Sequence, residues 1–128
     1  MKKKHDYEKL IIKLLEEAIP LQKHKVLWRF VSNLKDYGSC SSPVRGVITI
    51  SINSKQHEMI DTIIHEYAHA LDFDRNGLMK EHHSAEWGKC YAEVYRTYVK
   101  LLEQNRLERK KNHGRQRLKT SSRRFKKI

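Results

Sequence analysis

The sequence predicts an α+β fold: a small antiparallel sheet packed against helices, followed by a basic C-terminal tail. Three observations support this prediction. Apolar residues recur at helical spacing in three segments, two further segments have the composition of strands, and positive charge is concentrated near the C-terminus. A length of 128 residues suits one domain with a single modest core.

The first predicted helix runs from Asp6 to Ala18. Its apolar residues recur three and four positions apart, and Pro20 follows shortly after its end. Such a stripe is typical of a helix that packs on a sheet or on another helix. We therefore assign core packing, and no chemistry, to this segment.

Two strands are predicted after this helix, at Val26–Leu34 and at Gly46–Asn53, with a turn-rich segment at Asp36–Pro43 between them. The second strand alternates strictly, and one face should pack on the helices through Ile48, Ile50 and Ile52. Its edge is a candidate for pairing with an extended peptide substrate. The alternative is an internal strand with both edges occupied.

The second predicted helix, from about Lys55 to Phe73, contains the sequence His65-Glu-Tyr-Ala-His. Residues four apart lie on one face of a helix, so His65 and His69 can present two imidazole nitrogens to one metal ion. Glu66 is adjacent and can reach a water on that metal. Two histidine ligands and a general base at this spacing are typical of metalloproteases.

A catalytic zinc ion usually takes three protein ligands and one water. The extended metzincin pattern has Gly and His where this chain has Asp72 and Arg75, so that class is excluded. The residues leave the third ligand open among candidates at or after the start of the next helix, namely His82, His83, Glu86 and Glu93.

The third predicted helix begins after Ser84, a suitable N-cap, and runs to about Gln104. The segment 106–128 contains eleven lysines and arginines and one acidic residue, and it carries +10 of the net charge of +12. We expect a domain at residues 1–105 and a basic, flexible tail at 106–128. A nearly neutral domain with a basic tail predicts contact with a polyanion, most simply DNA.

Several classes are disfavoured by composition. No run of 18 apolar residues is present, so we expect no membrane span or membrane partner. The N-terminal sequence lacks the apolar segment of a signal peptide, and Cys40 and Cys90 are expected to be reduced thiols, so the predicted location is intracellular. The sequence has no Cys-x-x-Cys pair, so a zinc ribbon is excluded. It also has no heptad seam that would predict an obligate oligomer, so we expect a monomer.

The His65-Glu-Tyr-Ala-His motif, followed by His83-Ser-Ala-Glu-Trp87, resembles the SprT-like metalloproteases, a family that includes the Spartan protease of DNA–protein crosslinks. The family pattern places a third histidine in a His-Gly-x-x-aromatic element, which His83 and Trp87 match. Ser84 replaces the usual Gly, and the basic tail stands where many bacterial members have a zinc ribbon. The resemblance covers residues 26–99.

This resemblance implies a zincin-like fold with one catalytic Zn²⁺ held by His65, His69 and His83. It implies Glu66 as the catalytic residue, which activates a zinc-bound water, and a protein substrate associated with DNA. Asp72 is a candidate acceptor that orients a ligand imidazole. The oxyanion donor is left open among Tyr91, His82 and Arg45.

Two other functions compete with the protease prediction. The first is a non-catalytic, zinc-containing nucleic-acid-binding protein, in which the metal helix is only structural. Glu66 argues against it, because a structural site needs no base beside its ligands. The second is a zinc hydrolase that acts on a non-protein amide, which the motif alone does not separate from a protease.

Overall fold

The computed structural model describes residues 5–77 and 83–122, with side chains up to residue 105. Its elements are α1 (Asp6–Ala18), β1 (Lys25–Val31), β2 (Gly38–Cys40), β3 (Val47–Asn53), α2 (Met59–Asn76) and α3 (Ala85–Ser122). The predicted α+β class is confirmed. By compactness the chain divides into two units, Met1–Thr97 and Tyr98–Ile128, and α3 spans the boundary between them.

The sheet is mixed, so the predicted antiparallel sheet is wrong. Its strand order is β1-β3-β2, with β3 parallel to β1 and antiparallel to β2. The segment between β1 and β3 explains this topology, because β2 runs back along the sheet at its far edge. The chain therefore enters β3 at the same end of the sheet at which it entered β1.

The central strand β3 supplies the core of the sheet. Its three isoleucines are 0% exposed and share one face with Val26, Trp28 and Phe30 of β1, which pair with them in register. This face packs on the helices, as α2 contacts both β2 and β3. The other face of β1 is more open, since Leu27 is 53% exposed. The predicted isoleucine face is therefore confirmed.

Both edges of β3 are occupied, which excludes the suggested pairing of this strand with a peptide substrate. The short strand β2 lies in the segment that was expected to be rich in turns, where no strand was predicted. The chain reverses before β3 at Val44–Val47, where Arg45 and Gly46 both have positive φ (52° and 80°). Positive φ at both central residues is the requirement of a type I′ hairpin turn.

Helix α2 begins four residues later than predicted because the preceding residues form a turn of their own. The Asn53 side chain accepts a hydrogen bond from the Lys55 amide (2.9 Å). The Gln56 side chain donates to the carbonyl oxygens of Tyr37 (2.7 Å) and Asn53 (2.9 Å). These contacts fasten the loop before β2 to the start of the metal-motif helix.

The C-terminal end of α2 is joined to the α1–β1 loop through the buried Asp74. Its carboxylate accepts hydrogen bonds from the backbone amides of Gln22 (2.7 Å) and Lys23 (2.7 Å) and contacts His24 Nδ1 at 3.0 Å. Two turns earlier, on the same face of α2, the Tyr67 hydroxyl donates to the Ile19 carbonyl at 2.6 Å. These contacts hold α1 and the start of β1 against α2.

Helix α3 begins as predicted, with the Ser84 hydroxyl accepting from the Trp87 amide at 3.2 Å. It continues to Ser122, so the expected end near Gln104 is wrong. Most of the residues that follow Gln104 are good helix formers, although Gly114 is not, and none up to Ser122 is proline, so the helix continues without an apolar stripe. The division at residue 105 stays a prediction, and side chains of residues 106–128 lie outside those described.

Cys40 and Cys90 are both free thiols, in agreement with the prediction. Among the helices of the described segments, none is both long and apolar enough to cross a membrane.

Candidate metal centre

Three histidines from two elements meet at one point. His65 and His69 lie on one face of α2, and His83 lies two residues before α3 begins. One ring nitrogen from each can be chosen so that all three lie within 4.8 Å of one another. The structure therefore brings together the two histidines of the motif and the third histidine suggested by the family resemblance.

The spacing of these nitrogens suits a tetrahedral metal ion. The Nε2 atoms of His65 and His83 are 3.3 Å apart. Two nitrogens bound at about 2.0–2.1 Å in tetrahedral geometry would be separated by about 3.4 Å. The pKa of His65 is lowered, mainly by burial and to a smaller extent by the nearby His83. A lowered pKa favours the neutral imidazole that a metal requires. The residues present thus fit a metal ion.

Glu66 lies beside these ligands in a setting that favours its protonated form. It is 7% exposed, and no residue in the described part of the chain donates a hydrogen bond to its carboxylate. Burial, followed by the charge of Asp36, raises its pKa to about 7. A carboxylate with a pKa near neutrality is well matched to both accepting and returning a proton.

The backbone of β2 approaches Glu66 closely because residue 38 is glycine. A Cβ atom at Gly38 would lie 2.5 Å from Thr62 Cγ2, 3.1 Å from the Ser51 carbonyl oxygen and 3.2 Å from Glu66 Cγ. The first of these distances is a steric clash. A side chain at this position would therefore push β2 away from α2 or displace Glu66.

Trp87 packs against all three candidate ligands. Its ring centroid is 5.0 Å from that of His65, 5.2 Å from His69 and 4.4 Å from His83. Its indole nitrogen is buried, and no acceptor for it is found among the described residues. Because α3 carries Trp87, the first turns of this helix fix the orientation of the imidazole rings.

A cavity of about 610 Å³ opens beside the histidines. Three elements form its walls: α2, the loop entering β2, and α3. Its lining residues are Asp36, Tyr37, Gly38, Asp61, Thr62, His65, Glu66, Tyr91 and Tyr95. The cavity therefore gives a substrate access to Glu66 and to one face of the metal centre.

The other candidate ligands have different positions. Glu93 is paired with Arg75 through two contacts of 2.7 and 3.0 Å, and Glu86 is exposed in the first turn of α3. Neither belongs to the histidine cluster. His82 lies outside the described residues. The choice of His83 over the two glutamates is therefore supported by position as well as by resemblance.

Two further candidates can be placed. The Asp72 carboxylate accepts a hydrogen bond from the Asn76 side chain at 2.7 Å, and its suggested role toward a ligand imidazole stays a prediction. Arg45, one candidate for the oxyanion donor, is exposed in the β2–β3 turn and does not line the cavity. Tyr91 does line the cavity, and it is the oxyanion candidate that the structure places beside a ligand.

Sequence reasoning missed the cavity-lining residues that come from the start of β2 and the loop before it. Asp36, Tyr37 and Gly38 come from the segment expected to be rich in turns, and their approach to α2 is set by the pairing of β2 with β3. Tyr95 was also missed, although a signal existed. Trp87, Tyr91 and Tyr95 recur every four residues, which places three aromatic rings on one face of α3.

A family model described as the SprT-like family matches residues 7–113. No curated protein and no solved structure matches the chain at a significant level. The match extends on both sides of residues 26–99, over which the resemblance was expected, and it includes the three histidines and Glu66. Because it spans well over half of the 128 residues, the chain belongs to the SprT-like family.

Proposed function

We propose that this protein is a zinc-dependent endopeptidase in which Glu66 is the general base. The observation that carries the proposal is the convergence of three histidine nitrogens within 4.8 Å, beside a buried glutamate that lines an open cavity. The three ligands would hold one Zn²⁺, because an all-nitrogen set with an open fourth position is typical of catalytic zinc. When bound, zinc would polarise the substrate carbonyl and acidify a water molecule.

The protein's own part in the reaction is proton transfer. Glu66 accepts a proton from the attacking water as the water oxygen forms a bond to the peptide carbonyl carbon, and the carbonyl π electrons move to its oxygen. The C–N bond then breaks, the oxyanion re-forms a carbonyl, and Glu66 returns the proton to the leaving amine. Water is consumed, and the products are a carboxylic acid and an amine.

The test is zinc content beside cleavage of a basic, unstructured protein, for the wild type and for Glu66→Gln. We expect about one zinc per chain in both proteins. Cleavage should fall by about 10²–10⁴-fold in the variant, the usual contribution of a positioned general base. The matched control is Glu86→Gln, which makes the same chemical change at an exposed glutamate of α3 outside the histidine cluster.

Full activity of Glu66→Gln would refute the role of Glu66. Zinc in the wild type without cleavage of any protein would favour the non-catalytic nucleic-acid-binding alternative or a hydrolase of another amide. Absence of zinc from the purified wild type, with none taken up on addition, would reject the metal centre itself.

We further propose that the substrates are DNA-associated proteins and that residues 106–128 contact DNA. The support is the charge of this segment, +10 of the protein's +12. Binding to the phosphate backbone would concentrate the enzyme near proteins already on DNA, without any need for a cleft that reads sequence. An intracellular, monomeric protein is part of this proposal, and the two free thiols support that location.

If residues 106–128 contact DNA phosphates, substitutions of their basic side chains should change how DNA affinity depends on salt concentration. Replacing Arg109, Lys110, Lys111 and Arg115 by Gln should weaken DNA binding and reduce the magnitude of the slope of log K against log salt by up to about 3.6, at roughly 0.9 per phosphate contact. Replacing Lys9 and Lys13, which lie on α1, by Gln is the control. An unchanged slope in the first variant would reject contact by this segment.

A further inference from the structure

The wall of the cavity includes hydroxyl groups, which can stabilise negative charge as hydrogen-bond donors. Peptide hydrolysis places that charge on the carbonyl oxygen after water attack, and a fixed hydrogen-bond donor there is often a large contribution to catalysis. Four cavity-lining residues carry a hydroxyl group, namely Tyr37, Thr62, Tyr91 and Tyr95. Their surroundings differ enough to separate them.

Thr62 is unsuitable because its hydroxyl is engaged inside the protein. It lies 2.8 Å from Gln56 Oε1 and 3.1 Å from the Glu58 carbonyl oxygen, and both atoms are acceptors. Tyr37 is 66% exposed and Tyr95 is 46% exposed, so each would have to be ordered when substrate binds. An oxyanion donor acts best when its position is fixed in advance.

Tyr91 is held in place by the aromatic series on α3. Its ring stacks on Trp87 at 5.2 Å and 29°, and on Tyr95 at 6.2 Å and 13°. It also meets the ring of His65 edge-on, with centroids 6.5 Å apart. Contacts with three rings restrict the orientation of Tyr91 beside a candidate ligand, while its hydroxyl takes no hydrogen bond from any described residue.

We propose that Tyr91 is a further catalytic residue, whose phenolic O–H donates a hydrogen bond to the oxyanion formed at the scissile carbonyl. This inference rests on the proposed peptidase function. A phenol is protonated at neutral pH and is both a donor and an acceptor. The donor lies on α3 and Glu66 lies on α2, so the proton acceptor and the oxyanion donor come from different walls of the cavity.

The test is Tyr91→Phe, which removes the hydroxyl and keeps the stacked ring. We expect kcat to fall by about 10²-fold with KM nearly unchanged, since the hydrogen bond forms in the transition state. Zinc content should equal that of the wild type. As a readout independent of turnover, the affinity for a phosphinic peptide, a tetrahedral mimic of the intermediate, should fall by a similar factor.

Tyr7→Phe is the matched control, because Tyr7 lies on α1 and does not line the cavity. It should leave kcat and phosphinic-peptide affinity at wild-type values. An active wild type with unchanged kcat in Tyr91→Phe would overturn this inference alone, as would a selective loss in Tyr95→Phe. A wild type that neither cleaves protein nor binds the phosphinic peptide would overturn the proposed function and this inference with it.

Discussion

Two buried carboxylates, Glu66 and Asp74, lie about two turns apart on α2 and have opposite surroundings. Glu66 is 7% exposed and Asp74 is 3% exposed. No described residue donates a hydrogen bond to Glu66, and burial, followed by the charge of Asp36, raises its pKa to about 7. Burial would raise the pKa of Asp74 too, but hydrogen bonds from the α1–β1 loop outweigh it, and the pKa lies below its usual value.

The difference separates a structural carboxylate from a chemical one. Burying a charge without donors is unfavourable, so such a group persists where its reactivity is used. A buried carboxylate surrounded by donors instead holds segments together. The same helix therefore contributes the candidate base near its middle and a tertiary anchor near its end.

The largest stability effect is expected for Asp74→Ala. The substitution leaves the backbone amides of Gln22 and Lys23 without their acceptor and removes the contact with His24. We expect the free energy of unfolding to fall by about 3 kcal/mol, because charge-assisted bonds are lost and buried donors are left unpaired. Urea denaturation at pH 7 measures this change.

Glu17→Ala is the control for this substitution, since Glu17 is an exposed carboxylate on α1. Its effect should stay within about 0.5 kcal/mol. An equally small effect of Asp74→Ala would show that the hydrogen bonds at the end of α2 are not a tertiary anchor. Asp74 would then no longer serve as the structural counterpart of Glu66.

The second prediction concerns pH. In the folded, metal-free protein the pKa of Glu66 is raised from 4.5 to about 7. The folded state therefore keeps this proton to higher pH than the unfolded state does, and the free energy of unfolding decreases as the pH rises from 4.5 to about 7. At pH 8 the free energy of unfolding of Glu66→Gln should therefore be higher than that of the wild type by about 1–3 kcal/mol, as measured by urea denaturation. Measurements with a chelator present keep metal binding out of the comparison.

Asp74 should show the opposite dependence. Its lowered pKa means that its stabilisation is complete above the ordinary aspartate pKa near 3.8 and is lost as pH falls through the folded value. The stability difference between the wild type and Asp74→Asn should therefore shrink between pH 5 and pH 3. If Glu66→Gln were the less stable protein at pH 8, the assignment of opposite roles would be wrong.

How well the sequence predicts a feature depends on how far apart in the chain the interacting residues lie. The convergence of His65 and His69 depends on helical periodicity, which acts over four residues, and the structure brings these two side chains together as that periodicity predicts. The Asp74 anchor joins residues about fifty positions apart and leaves no periodic signal. The parallel pairing of β1 with β3 was missed for the same reason, since alternation predicts a strand but not its neighbours.

The third prediction addresses the wall beside Glu66. Gly38→Ala places a Cβ 2.5 Å from Thr62 Cγ2, so β2 or α2 must move, at a cost of about 1–3 kcal/mol. Cleavage should also fall, because Glu66 Cγ is the third atom in contact. Thermal denaturation and the protease assay measure the two effects.

Gly88→Ala is the matched control, because Gly88 is inside α3 and a Cβ there would meet no other described part of the chain within 4 Å. This variant should gain about 0.5–1 kcal/mol from helix propensity. Equal behaviour of the two variants would mean that close approach of β2 is not what positions Glu66.

The smallest effect is expected at Glu93, a carboxylate that has donors but lacks burial. Arg75 donates to it at 2.7 and 3.0 Å, and hydrogen bonding to Arg75 lowers the pKa of Glu93, as donors do for Asp74. The two side chains are 42% and 43% exposed, however, so water can replace either partner. A double-mutant cycle of Arg75→Ala and Glu93→Ala should give a coupling of at most about 1 kcal/mol. A coupling as large as the loss in Asp74→Ala would mean that donors alone, and not donors together with burial, make a carboxylate structural.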